Sequence, residues 1–128
     1  MTGLTLTHPQ EVEVFYLIPA LKRHLAVRMK ERGLKQVEIA HLLSVEEAAV
    51  SQYVRNKRGN KVSFDAPVVK EIEASADRIT DQLSMLREMQ RLLRYLRFSG
   101  TFCKIHKQLS NIPSACHPDT IQCFGGKT

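Results

Sequence analysis

Apolar positions are irregular over the first ten residues, which read as a frayed end. The stretch EVEVFYLI (11–18) alternates weakly, and its period leaves a short strand and a first helical turn both open. Pro19 suits the first position of a helix, where a missing N–H leaves no bond unmade. Leu21, Leu25 and the run Val27–Arg28–Met29 then carry a helical stripe until Gly33 ends it. Between Lys35 and Gly59 the pattern predicts two short helices with a turn near Ser44, followed by the basic loop RNKRGNK (55–61). Asp65 is a suitable N-cap with Pro67 just inside the next helix. From there Val69, Ile72, Ala76, Ile79, Leu83 and Leu86 recur at spacings of 3, 4, 3, 4 and 3, an amphipathic or coiled-coil-like seam. It forms one long helix, or two joined near Thr80, itself a good N-cap. Met89, Leu93 and Leu96 extend it until Ser99–Gly100, and residues 101–128 show no clear period.

The segment KQVEIAHLLSVEEAAVSQYVRNKRG (35–59) says more. Ile39 and Leu43 share one face of its first helix, and Val50 with Tyr53 or Val54 shares one face of its second. Val45 falls in the turn. Ala40 is small enough to let the two helices cross closely, at the steep angle of a helix-turn-helix. Packing these residues inward leaves Glu46, Glu47, Ala48, Ala49, Ser51, Gln52 and Arg55 on or near the outer face. Such a face suits a DNA major groove: glutamine pairs bidentately with adenine, arginine with guanine, and alanine meets a thymine methyl. Arg55, Lys57, Arg58 and Lys61 add cations that would fix register through phosphates.

On these residues QVEIAHLLSVEEAAVSQYVRNKRG resembles the helix-turn-helix of lambda-repressor-like (Xre-type) transcriptional regulators. Its AAVSQY and KRG, combined with a cysteine-bearing tail, are similar to a small prokaryotic group of them. The likeness covers roughly residues 12–61. It implies that Glu46 to Arg55 is the recognition helix, with Ser51, Gln52 and Arg55 as base contacts. The expected DNA-binding set is Glu47, Ala48, Ser51, Gln52, Arg55, Lys57, Arg58 and Lys61. Two positions depart from the family. Ser44 stands where glycine is usual, because the turn favours a left-handed backbone. Glu46 stands where serine or threonine usually caps the recognition helix. Glu46 and Glu47 complement the helix dipole, yet they sit where a phosphate or base edge would approach. They would repel DNA or accept from a cytosine amino group.

Composition supports an ordinary globular protein, with 128 residues, 43% of them hydrophobic and 25% charged. No apolar run reaches the roughly 18–20 residues of a membrane span, and MTGLTLTHPQ lacks the form of a signal peptide. A cytoplasmic protein without membrane contact is expected. The net charge of +6 favours a polyanionic partner, here double-stranded DNA. The excess leans toward the first half, where residues 1–64 hold ten lysines and arginines against six carboxylates. Arg87, Arg91, Arg94 and Arg97 share one helix face, either beside a dimer interface or simply solvated. A homodimer is expected, since single helix-turn-helix modules bind weakly and paired half-sites gain from linkage.

All three cysteines lie in the tail, as Cys103-x2-His106-x9-Cys116-His117-x5-Cys123. An odd count in a reducing compartment argues against a disulfide framework. Three thiolates and an imidazole can complete a tetrahedral zinc site. The same set can hold an iron–sulfur cluster, and the resemblance tilts the expectation that way. Cys103, His106, Cys116 and Cys123 are the expected ligands, with His117 a bystander because adjacent residues rarely reach one ion.

The expectation is thus an all-α chain in three parts. Residues 1–64 form a helix-turn-helix DNA-binding domain, 65–100 a helical dimerisation segment, and 101–128 an irregular metal- or cluster-binding tail. Its function would be that of a dimeric repressor sensing iron or redox state. A regulator with purely structural zinc and an antitoxin-like interaction module are the alternatives. No nucleophile–base pair, phosphate loop or paired-carboxylate signature points to an enzyme or to a small-molecule substrate.

Overall fold

The structure, a computed structural model, describes residues 7–110 together with 112, 115, 116, 121 and 123. The described residues form helices and no strands. The chain enters through α1 (Pro9–Val12), a π-helical turn (Glu13–Leu17) and α2 (Ile18–Glu31). EVEVFYLI is therefore helical, and its strand reading is excluded. Pro19 falls in the first turn of α2, although the helix runs into it without a break from the π turn. It cannot donate to the carbonyl of Phe15, and its ring would crowd that group. The wider π turn is where this misfit is absorbed, with the Ile18 N–H bonding the carbonyl of Glu13 five residues back. Residues 7–10 are also not frayed. The backbone N–H of His8 donates to the Glu11 carboxylate at 3.0 Å, and that of Thr7 donates to the Ser110 hydroxyl at 2.7 Å.

Gly33, at φ 94°, stops α2. The Leu34 N–H returns to the carbonyl of Met29 and the Gly33 N–H to that of Lys30, the paired bonds of a Schellman motif. Two short helices follow, α3 (Gln36–Leu43) and α4 (Glu47–Val54), packed against each other and against α2. Their common floor is Leu21, Leu25, Met29, Ile39, Leu43, Val50 and Tyr53, all buried.

The seam beyond Asp65 is a helix pair, α5 (Ala66–Arg78) and α6 (Gln82–Phe98). Asp81 caps α6 rather than Thr80, accepting from the Ser84 N–H at 2.8 Å. The break resets the helical phase, because Ile79 is extended. In α5 the buried positions are Val68, Ile72 and Ala76, so Val69 is only half-buried. In α6 they become Met85, Met89, Leu92, Leu93 and Leu96. Leu83 and Leu86, expected in the same seam, are instead 76% and 62% exposed.

A buried carboxylate fastens this pair. Glu88 of α6 is 2% exposed and accepts from Ser75 at 2.8 Å, Arg91 at 3.1 Å, and Arg78 and Arg87 at 3.2 Å each. Arg91 also reaches Glu71 at 2.8 Å and the Ser75 hydroxyl. Arg97 grips Glu13 with two bonds of 2.9 Å, tying the end of α6 to the π turn. Most of the arginine stripe on α6 is thus committed inside the molecule.

The tail was expected to be irregular, yet Thr101–Leu109 forms α7. Gly100, at φ 85°, turns the chain so that Phe102, Ile105 and His106 are buried on α6 and α1.

Candidate nucleic-acid interface

α3 and α4 are joined by a short turn whose backbone is set by Ser44 at φ 56°, ψ 46°, the left-handed conformation the sequence pattern requires. The Val45 N–H bonds the carbonyl of Ala40, and the Ser44 N–H bonds that of His41, closing a second Schellman motif. Ala40 and Ala49 are both buried where α3 crosses α4. Ala49 therefore serves the crossing and not the outer face where the outward set placed it. Gln36, at the start of α3, reaches over to the carbonyl of Glu47 at 3.1 Å, pinning the two helix starts together.

α4 occupies the expected recognition-helix position, with Glu46 as its N-cap and Arg55 as its C-cap. The Glu46 side chain makes no capping bond. Glu47, Ala48, Gln52 and Arg55 are exposed and Ser51 is half-buried, so they form one polar face above buried Val50 and Tyr53. Val54, the alternative to Tyr53, is exposed. Arg55 donates to the Ser51 hydroxyl at 2.9 Å, which holds the guanidinium along the helix rather than splayed from it.

The basic loop leaves α4 by a third left-handed turn. Asn56 has φ 60°, its N–H returns to the carbonyl of Tyr53, and the Lys57 N–H returns to that of Gln52. Asparagine follows glycine in tolerance of this conformation. The turn folds the loop back over α4, where the Arg58 guanidinium lies 6.0 Å from the Tyr53 ring centroid. Gly59, at φ 72°, sits against α2 so closely that a Cβ would come within 2.3 Å of the Pro19 carbonyl oxygen. Arg23 of α2 donates to the carbonyl of Gly59 at 3.1 Å and also to His24 at 3.1 Å. Burial, then Arg23, lowers the His24 pKa against the opposing pull of Glu73.

Most arginines outside this region are paired with carboxylates, although among the described residues Arg94 and several lysines are not. Arg28, Arg32, Arg78, Arg87, Arg91, Arg97 and Lys104 all form ion pairs with carboxylates. Among the described residues Arg55, Lys57, Arg58 and Lys61 form none, and all four are exposed. The whole expected set from Glu47 to Lys61 therefore lies on α4 and the loop continuing it. Sequence reasoning missed two residues of α2, Lys22 and Arg23, that flank this loop. Only the packing of Gly59 on Pro19 brings them there.

At the other end of the molecule, Cys103 and His106 are three residues apart on α7. His106 is 3% exposed, its Nε2–H donates to the Thr7 carbonyl at 2.8 Å, and its ring packs 5.5 Å from Phe102. That leaves only Nδ1 as a donor to a metal, a common division of roles in metal-bound imidazoles. Burial first, then the charges of Cys123 and Cys116, raise the Cys103 pKa. Among the described residues, however, no three histidine, cysteine or carboxylate side chains are placed to hold an ion together. His117 lies outside the described residues. No helix among the described residues is long and apolar enough to cross a membrane. Comparison with protein families, curated proteins and solved structures finds no match to this chain.

Proposed function

We propose that the chain is a sequence-specific, double-stranded DNA-binding transcriptional regulator. In this reading α3 and α4 act as a helix-turn-helix and α4 enters the major groove. The observation that supports it best is the contrast in charge pairing. Six of the eight arginines elsewhere pair with carboxylates, Arg23 and Arg94 being the exceptions, whereas Arg55, Lys57, Arg58 and Lys61 stand exposed without one beside the Ser51–Gln52 face. Exposed cations without a carboxylate partner are available to displace counterions from a phosphate backbone. Gln52 and Arg55 then read base edges, while Lys57, Arg58 and Lys61 hold phosphates.

Operator selection from a random duplex library tests this. Gln52→Ala and Arg55→Ala should each lose about 1–3 kcal/mol of binding to the selected site and keep the fold. Lys57→Ala or Arg58→Ala should weaken binding evenly on all sequences and flatten its salt dependence. Wild-type affinity in both recognition-helix variants would remove α4 from the reading.

The protein would act as a homodimer, for which exposed Leu83 and Leu86 on α6 are the natural seam. The tail thiols would take an iron–sulfur cluster, or zinc as a structural alternative, only by drawing Cys116 and Cys123 in toward Cys103. Visible absorbance with iron and sulfide separates the cluster from colourless zinc.

A further inference from the structure

We propose that Lys22 of α2 forms, with Arg58 of the basic loop, a phosphate-binding pair that extends the DNA contact beyond α4 and its loop. The inference rests on the DNA-binding reading and adds to it a residue that no motif marks. Its basis is placement. Gly59 packs against Pro19 and Arg23, and Arg23 holds the Gly59 carbonyl at 3.1 Å. The residue before Gly59 is therefore delivered to the turn of α2 that carries Lys22. Arg58 is kept there by the Tyr53 ring beneath it. On its other side Lys22 lines a cleft with Leu43, Ser44 and Met85, so it stands between the α3–α4 turn and the basic loop.

Neither cation has a carboxylate to answer it among the described residues, although carboxylates pair with Arg28 and Arg32 on the same helix. Lys22 is half-buried, and burial followed by repulsion from Arg58 lowers its pKa. Two like charges held together by backbone packing are unfavourable unless an anion joins them. A DNA phosphate beside α4 supplies that anion, and a lysine there acts as a point-charge ligand.

The test is binding of a short fluorescent random-sequence duplex across a salt series, with Lys22→Ala, Lys22→Gln, Arg58→Ala and Lys30→Ala. Lys22→Ala and Lys22→Gln should each make the log–log salt slope shallower by about 0.9, equally on every sequence. Lys30→Ala, further along the same helix, should leave the slope unchanged. The Lys22 amine, followed by NMR, should titrate at higher pH when the duplex is present. A wild-type protein that binds no duplex overturns the DNA reading itself. Normal binding that responds to Arg58→Ala but not to Lys22 overturns this inference alone. An equal loss with Lys30→Ala reduces the effect to bulk charge and also overturns it. A rise in the Lys22 pKa with inorganic phosphate, with an unaltered duplex slope, assigns the pair to a free anion instead.

Discussion

Ser44 is one of two non-glycine residues with a left-handed backbone among the described residues. Its backbone is left-handed, and a Cβ in that region costs roughly 1–2 kcal/mol compared with glycine. Glycine would relieve this cost but give back part of it through greater freedom in the unfolded chain. Ser44→Gly is expected to stabilise the protein by a net of about 0.5–1 kcal/mol, read as a higher urea midpoint at unchanged m-value. DNA affinity should hold, because the side chain makes no bond that positions α4. A midpoint that stays put or falls would mean the serine hydroxyl contributes something its geometry does not show. Asn56 is the gentler case of the same demand, since asparagine tolerates this conformation better. The turn at Ser44 was legible in the sequence, whereas Asn56 was legible only as part of the basic loop.

Among elements, the α5–α6 pair depends on one carboxylate. Burial pushes the Glu88 pKa up, but bonds from Ser75, Arg91, Arg87 and Arg78 outweigh burial and bring it from 4.5 to about 2. The folded pKa lies below the unfolded one, so the native state binds fewer protons. Its stabilisation is therefore complete above the unfolded pKa of 4.5 and lost as pH falls toward about 2. The shift corresponds to about 3 kcal/mol. Glu88→Gln should lose about that much at neutral pH, leaving three guanidinium groups crowded around an amide. It should also flatten the acid limb of a stability profile followed by circular dichroism. A variant that loses stability in parallel with wild type from pH 5 to 2 would place the acid-sensitive group elsewhere. Nothing in the sequence pattern announced this clamp. The apolar period reported a seam, but the three residues at Ile79–Asp81 reset its phase, and period alone carries no signal for a phase reset. That is why Leu83 and Leu86 looked continuous with the seam of α5. The helix at Thr101–Leu109 was missed for another reason. Phe102, Ile105 and Leu109 fall at helical spacing, but nine residues of it are too few to stand out beside cysteines and histidines.

For the whole molecule, the tail and the proposed dimer seam lie along one path, because α7 turns directly off the end of α6. If the thiols take a metal, Cys103→Ser should abolish metal binding and any visible absorbance of anaerobically purified protein. It should leave the α3–α4 unit folded, since Cys103 is only half-buried. Metal-free wild-type protein would leave the cysteines without that role. The proposed dimer makes the stronger demand, since α4 has only eight residues and Ala49, Val50 and Tyr53 among them are buried. Two copies would need their α4 helices one turn of DNA apart, about 34–36 Å. Leu83 and Leu86 are the pair of exposed leucines on α6. Leu34, Val37, Leu42 and Ile79 are the apolar part of the lining of a cleft elsewhere on the described surface. An exposed leucine and a partly apolar cleft on one chain suit an isologous contact, in which each copy offers both knob and hole. Leu83→Arg changes an exposed position, so the monomer should keep its helical spectrum and melting midpoint. Two arginines facing each other across the seam should nevertheless drive the copies apart. Sedimentation equilibrium should give a dimer for wild type and a monomer for the variant, with operator affinity falling at least tenfold as linkage is lost. Wild-type protein sedimenting as a monomer at micromolar concentration would rule out α6 as a dimer seam.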